Sequence, residues 1–169
     1  MHFIALASLA LASVASAENI IITVGGNGTT TYSPSSVTAN LNDTVTFQFV
    51  AGNHTATQST FAAPCTNKPG GVDSGFQSVA AGATQIPQWS FTMNDTSQPL
   101  WFYCMQTGHC GKGMVFSVNA PSSGNTFDAF QTAAKKTANT TSAPSGALVT
   151  RTSAGLLAAA AGVVAGLLL

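Results

Sequence analysis

The chain has 169 residues, of which only 6% are charged, and its five basic side chains balance its five acidic ones. A nucleic-acid-binding protein needs a basic surface for phosphates, so this class of function is excluded, as is a polybasic membrane-surface segment. Hydrophobic residues reach 45%, but many of them belong to the two ends of the chain. The pattern of those ends predicts processing signals, so we expect the folded domain to lie between them.

The first segment, Met1 to Ala17, is apolar and ends in the small residues Ala15-Ser16-Ala17. This pattern fits a secretory signal peptide that is cleaved before Glu18, although no Lys or Arg precedes the apolar run. A buried N-terminal helix is the alternative. We therefore predict that residues 1–17 are a signal peptide and that the mature protein lies in an oxidising, extracellular compartment.

Short segments with alternating apolar side chains follow the signal peptide. In Thr44 to Val50, the side chains of Val45, Phe47 and Phe49 alternate with polar ones, which is typical of a half-buried strand. Further strand candidates are Ile20 to Val24, Gln88 to Met93, Leu100 to Tyr103 and Gly113 to Asn119. Turn-forming residues separate them, and no amphipathic helix is visible. Residues 18–120 are thus predicted to form one all-β domain, a Greek-key β-sandwich or barrel.

The segment WFYCMQTGHCGKGM, residues 101–114, concentrates side chains that bind metals. Four residues separate Cys104 from His109, and four more separate His109 from Met114. Because Cys104 ends one strand and Met114 begins the last, a single loop can bring all three to one point. His54, directly after the Thr44 to Val50 strand, is the candidate for a second imidazole. Two His, one Cys and a weak axial Met form the ligand set of a blue-copper electron-transfer site.

Other interpretations of these residues are weaker. A single buried Cys or Met is most commonly a core residue. Zinc favours tetrahedral sets of Cys, His and carboxylate and rarely binds Met. A Cys-His hydrolase would use Cys104 as the nucleophile and His109 or His54 as the base, but the sequence offers no orienting Asn or Asp at a clear spacing and no oxyanion loop. We therefore predict one copper ion and no enzymatic activity.

The cysteine count agrees with a metal-binding role for one thiol. Three cysteines in a secreted domain leave one unpaired. If Cys104 binds the metal, Cys65 and Cys110 are free to pair. Their disulfide would tie the loop after His109 to the loop before Asn67.

The motifs GNHT at residues 52–55 and WFYCMQTGHCGKGMVFSVN at residues 101–119 resemble those of the cupredoxins, specifically the plant phytocyanins and the fungal extracellular GPI-anchored members. The resemblance covers Ile20 to Asn119. It implies a cupredoxin-like sandwich, a Cys65–Cys110 disulfide and one type-1 copper ion. The ligands that it implies are His54, Cys104, His109 and Met114.

The same resemblance implies one-electron transfer with a partner protein or a small molecule as donor or acceptor. A copper-binding or copper-handling surface glycoprotein without a redox-shuttle role is the alternative. A structural wall glycoprotein with an idle site is a third possibility. In each case we expect a monomer.

The C-terminal part resembles a tether. Residues 121–145 are rich in Ser, Thr, Ala and Gly and are predicted to be a disordered stalk. The apolar tail from Gly155 to Leu169 is too short to span a bilayer. Together with the small residues Ser145-Gly146-Ala147, it forms the pattern of a GPI-attachment signal, so residues 146–169 would be removed. The attachment candidates are Ser145 and Gly146, which place the protein on the outer face of the plasma membrane, in the cell wall or in the medium.

Asn-x-Ser/Thr sequons accompany this secretory pattern. Candidate glycosylation sites are Asn27, Asn42, Asn94 and Asn139. A fifth sequon begins at Asn53 and includes the ligand candidate His54. We predict that it carries no glycan, because the neighbour of a metal ligand is commonly held in supporting hydrogen bonds.

Overall fold

The computed structural model describes residues 16–80 and 82–138. Over these residues the chain forms short strands followed by one α-helix. The strands are β1 Asn19–Val24, β2 Tyr32–Ser33, β3 Ser36–Val37, β4 Thr44–Phe49, β5 Gly52–His54, β6 Thr57–Ser59, β7 Gln77–Val79, β8 Gln88–Thr92, β9 Leu100–Tyr103 and β10 Val115–Val118. The helix is α1, Phe127–Thr137. All the strands predicted from alternation are present, with ends shifted by up to two residues.

The strands form two four-stranded sheets and one small ribbon. The first sheet has the order β2-β1-β4-β8 and the second has the order β3-β10-β9-β6. The ribbon pairs β5 with β7. Two pairs are parallel, β1 with β4 and β3 with β10, and the other pairs are antiparallel. This arrangement confirms the predicted all-β sandwich.

Apolar side chains between the two sheets form the core. Val45, Phe47 and Phe49 of β4 are fully buried, as their alternation predicts. The ring of Phe47 lies 5.9 Å from that of Phe102 and 5.1 Å from that of Phe116, both in the opposite sheet. Aromatic pairs at these centroid distances add to the apolar burial that holds the two sheets together.

The outer face of the second sheet is also apolar, and α1 covers it. Trp101 and Tyr103 alternate with core-facing residues along β9 and belong to a second cluster with Phe130 and Ala134 of the helix. The rings of Trp101 and Phe130 are 4.6 Å apart, and Phe130 is fully buried. A strand that is apolar on both faces needs cover on both sides, and α1 provides it.

Helix α1 corrects the prediction that residues 121–145 are a disordered stalk. Thr126 caps the helix by accepting a hydrogen bond from the Ala129 N–H at 3.2 Å. The folded part therefore continues beyond Ala120, and the stalk prediction is wrong for Phe127–Thr137. Residues 139–145, Asn139, Ser145, Gly146 and most of the predicted signal peptide lie outside the described residues. Among the described residues, no helix is long and apolar enough to cross a membrane.

Candidate metal centre

The loop between β9 and β10 carries three of the four predicted ligands. Cys104 directly follows β9 and Met114 directly precedes β10. Because these strands are antiparallel neighbours, the two ends of the loop meet, and the Cys104 N–H donates to the Met114 carbonyl at 3.1 Å. A one-turn 3-10 helix, Cys110–Lys112, follows His109 and turns the chain back toward Met114. The loop is therefore closed at its base and folded at its tip.

The structure brings three of the four predicted ligands together at one end of the sandwich. His54 stands at the end of β5, and its Nδ1 lies 3.8 Å from Cys104 Sγ. Nδ1 of His109 lies 3.4 Å from the same sulfur, and the ligand atoms of the three residues lie within 4.8 Å of one another. Met114 is fully buried at the base of the loop. A thiol and two imidazoles at these separations can bind one metal ion.

Thr55, which sequence analysis did not single out, holds the start of the loop. Its backbone N–H points at Cys104 Sγ at 3.5 Å. Its hydroxyl oxygen accepts from the Met105 N–H at 2.9 Å and from the Thr57 hydroxyl at 2.8 Å. These bonds orient the sulfur, and they are of the supporting kind that commonly surrounds metal ligands. The feature of the sequence that could have identified Thr55 is its position directly after His54.

Asn53 joins the ribbon to the loop on the other side. Its side-chain Nδ2 donates to Oε1 of Gln106 at 2.8 Å, and the residue is half-buried. His54 and Thr55, the other two residues of this sequon, are buried. Asn27, Asn42 and Asn94 are exposed by contrast.

We therefore expect Asn53 to be unglycosylated in the secreted protein. Nδ2 is the atom that would carry the sugar, and a glycan there would break the bond to Gln106. Peptide mass spectrometry after enzymatic deglycosylation in heavy-oxygen water should show conversion to Asp at the exposed sequons but not at Asn53. Conversion at Asn53 would contradict the packing of this ribbon against the loop.

Two glycines make room for the imidazole of His54. Gly25 and Gly52 have φ values of 75° and 76°, in the left-handed region that favours glycine. A Cβ on Gly52 would lie 2.9 Å from His54 Nε2, and one on Gly25 would lie 2.4 Å from the Ala51 carbonyl oxygen and 2.8 Å from Nε2. Nε2 is therefore enclosed by backbone, which leaves Nδ1 directed at Cys104.

Gly52→Ala should weaken copper binding by roughly 10–100-fold, the range found when a support of a metal ligand is lost. The new methyl group would push the His54 ring away from Cys104. Gly124→Ala is the matched control, because Gly124 has a similar φ of 72° but nothing within 4 Å of its added Cβ. Competitive copper titration should separate the two variants, and equal affinities would show that the imidazole tolerates the contact.

Burial favours the ligating form of both imidazoles. Burial lowers the pKa of His54, and the adjacent His109 lowers it further, while a hydrogen bond with the Ala51 backbone opposes both. Burial and then Lys112 lower the pKa of His109. Burial raises the pKa of the Cys104 thiol, and hydrogen bonds from Thr55 and Gln106 partly offset it. At neutral pH these shifts favour a protonated thiol and neutral imidazoles, so a metal that binds here would have to displace the thiol proton.

The Cys65–Cys110 disulfide is present, which confirms the predicted pairing. Cys104 is the free cysteine, and it is buried. The bridged residues are 45 positions apart in the chain, so the bridge stabilises the fold by about 4 kcal/mol in the chain-entropy model. Because Cys110 directly follows His109, the bridge also anchors the ligand loop to the segment before Asn67.

Comparison with curated proteins identifies the family. The chain is 34% identical over 134 residues to "Probable GPI-anchored cupredoxin-1" from Arthroderma benhamiae, covering 79% of this chain and 68% of that protein. The chain belongs to the cupredoxin family. A second relative, the "Extracellular serine-rich protein" of the same organism, is 34% identical over 121 residues. That match covers 71% of this cupredoxin but only 46% of the second relative.

Two solved structures that are similar to this cupredoxin share less of its sequence than the curated relatives do. Auracyanin A from Chloroflexus aurantiacus, described as a "blue" copper protein, is 13% identical with a TM-score of 0.44 and covers 61% of this chain and 98% of its own. Reduced rusticyanin is 15% identical with a TM-score of 0.45 and covers 63% of this chain and 80% of its own. No protein-family model matches the chain. The family assignment rests on the curated relative.

The donor set of this cupredoxin fits one type-1 copper ion. Two imidazole nitrogens and one cysteine sulfur face one another, and a buried methionine directly precedes the neighbouring strand β10. Soft sulfur suits copper(I) and imidazole suits copper(II), so this set serves both oxidation states. No carboxylate belongs to the cluster found among the described residues, which disfavours zinc.

Proposed function

We propose that this cupredoxin is a one-electron carrier at the outer cell surface, with a type-1 copper ion bound by His54, Cys104, His109 and Met114. The observation that carries the proposal is the convergence of His54, Cys104 and His109, whose ligand atoms lie within 4.8 Å of one another. Copper bound there supplies a one-electron couple between its two oxidation states.

The contribution of the protein is to hold the ligands still. The base of the loop is closed by the hydrogen bond from the Cys104 N–H to the Met114 carbonyl, and its tip is tied to Cys65 by the disulfide at Cys110. Thr55 and Asn53 link the same loop to β5. Ligands that cannot rearrange minimise the structural change that accompanies each electron, which favours rapid exchange.

His109 marks the surface through which electrons would pass. It is the one predicted ligand that is partly exposed, whereas Cys104, Met114 and His54 are buried. A shallow depression beside it is lined by Gly28, Thr30, Gly52 and Gln106 together with the two imidazoles. None of these lining residues carries a formal charge at neutral pH, and the positive charge near the ring is that of Lys112, which also lowers the pKa of His109.

The surface location is supported by the pattern of the chain ends and by the names of the two relatives. One of them is named as GPI-anchored and the other as extracellular. Both chain ends lie outside the described residues. On this proposal the membrane is contacted through the lipid alone.

An optical spectrum followed by cyclic voltammetry tests the function. Copper-loaded protein should absorb intensely in the visible region through thiolate-to-copper charge transfer and should exchange electrons reversibly. Intense colour with no reversible wave would favour copper handling over electron transfer, and a colourless copper complex would contradict both. Treatment of whole cells with phosphatidylinositol-specific phospholipase C should release the protein, whereas retention would contradict lipid attachment.

A further inference from the structure

Helix α1 touches the metal-binding loop as well as the sheet. Ala138, just beyond its end, lies close to Gly111: a Cβ on Gly111 would be 2.9 Å from the Ala138 Cβ. The Thr137 hydroxyl lies 3.2 Å from Cys65 Sγ, one half of the disulfide that holds Cys110. The segment between His109 and Met114 therefore packs against the last turns of this helix.

Two side chains of α1 converge on the backbone of Gly113. Nε2 of Gln131 donates to the Gly113 carbonyl at 3.1 Å, and Nζ of Lys135 donates to Oε1 of Gln131 at 3.0 Å. A Cβ on Gly113 would lie 2.4 Å from Cε of Lys135, so the stem of that lysine occupies the space beside the glycine. Gly113 has a φ of 92°, which suits glycine in any case.

The Gly113 carbonyl belongs to the same peptide unit as the N–H of Met114. That N–H donates to the His109 carbonyl at 3.0 Å, and the Val115 N–H also approaches the Gly113 oxygen at 2.9 Å. The peptide unit is thus hydrogen-bonded at both ends. Because rotation about the Gly113 Cα–C bond would move both the Gly113 carbonyl oxygen and the Met114 Cα, a restraint on that oxygen also limits where the Met114 side chain begins.

We propose that Gln131 and Lys135 are positioning residues for Met114, acting through the Gly113–Met114 peptide. Copper ligation by Met114 rests on the proposed function, but the restraint itself is a property of the polypeptide. A methionine thioether would be a weak ligand to a copper ion bound here, so its contact would respond to small displacements of the methionine backbone. The helix would thereby adjust the site through the polypeptide alone.

The competing explanation is that α1 only covers Trp101 and Tyr103. Loss of the Gln131 bond would then lower thermal stability slightly and leave the loop unchanged. The two explanations differ in where the effect appears, so the test must measure the loop directly and not the melting temperature alone.

Three variants of the full secreted protein make this test. Gln131→Met keeps the length of the side chain but removes the donor. Lys135→Met keeps the stem beside Gly113 but removes the ammonium group. Lys136→Met is the matched control, since Lys136 is an exposed neighbour on the same helix and the change of charge is identical.

Amide hydrogen exchange of Met114 in protein prepared without metal is the first readout. Gln131→Met should accelerate exchange at Met114 by roughly fivefold to tenfold, the effect of one lost hydrogen bond. Lys135→Met should give a smaller acceleration, and Lys136→Met should remain within about twofold of the wild type. Exchange at Phe47, in the core between the sheets, should stay unchanged in all three.

The absorption spectrum of the copper-loaded protein is the second readout. Gln131→Met should alter the intensity ratio of the charge-transfer bands, and Lys136→Met should not. Equal Met114 exchange in Gln131→Met and Lys136→Met would overturn the proposal, whatever the melting temperatures. A colourless wild type with the expected exchange pattern would instead overturn the copper function and leave the restraint of the loop intact.

Discussion

Replacement of Cys104 by Ser should abolish the visible absorption of the copper-loaded protein. The colour requires transfer of charge from a thiolate to copper, and an alcohol oxygen in the same place provides no such transition. Copper affinity should also fall by more than the roughly 10–100-fold that accompanies loss of a supporting residue, because an equatorial ligand is removed. Visible absorption and competitive copper titration measure the two effects.

A thiol count accompanies this test. Denatured wild-type protein should show one reactive thiol, since Cys65 and Cys110 are paired and Cys104 is free, and Cys104→Ser should show none. Thr107→Ala serves as the control within the same loop, because Thr107 is exposed and is outside the ligand cluster. Retained colour in Cys104→Ser, or lost colour in Thr107→Ala, would refute the assignment of the thiolate.

Phe130→Ala should destabilise the domain by about 3–5 kcal/mol, the range for removal of a buried phenylalanine. The side chain is fully buried, and its ring lies 4.6 Å from Trp101 and 6.1 Å from Phe61. For a domain of this size, such a loss corresponds to a decrease in melting temperature of more than about 10 °C.

Phe76→Ala is the matched control, since it makes the same chemical change at a side chain that is 51% exposed. It should alter stability by no more than about 0.5 kcal/mol. Chemical denaturation of both variants compares them directly. Equally small effects would mean that residues 127–137 do not pack on the sheet and that the stalk prediction holds for them after all.

The sequence alone determined the sandwich and predicted the ligand set. Alternation in β4 placed Val45, Phe47 and Phe49 inside because a strand turns successive side chains to opposite faces, which is a local property. The spacing of Cys104, His109 and Met114 was equally local, since one loop between two neighbouring strands contains them all. His54 could be added because its position after β4 placed it at a strand end.

The helix was not predicted from the sequence, because its composition is that of a linker. Of FDAFQTAAKKT, only Phe130 and Ala134 are fully buried, Phe127 is partly buried, and the remainder is polar or small. The sequence signal for a covering element was in β9. Its segment LWFY is apolar on both faces, and such a strand needs cover outside the sandwich. Local periodicity could not show which segment supplies that cover.

Only the tertiary structure decided how the predicted ligands are held. β5 and β7 are three-residue strands without apolar alternation, and they form because each pairs with the other across a gap in the sequence. That ribbon places Thr55 beside Cys104 and encloses His54 between Gly25 and Gly52. Likewise Gln131 reaches Gly113 only after α1 has docked on the sheet. These contacts join residues far apart in the chain, and their geometry depends on the packing of whole elements, which no spacing in the sequence records.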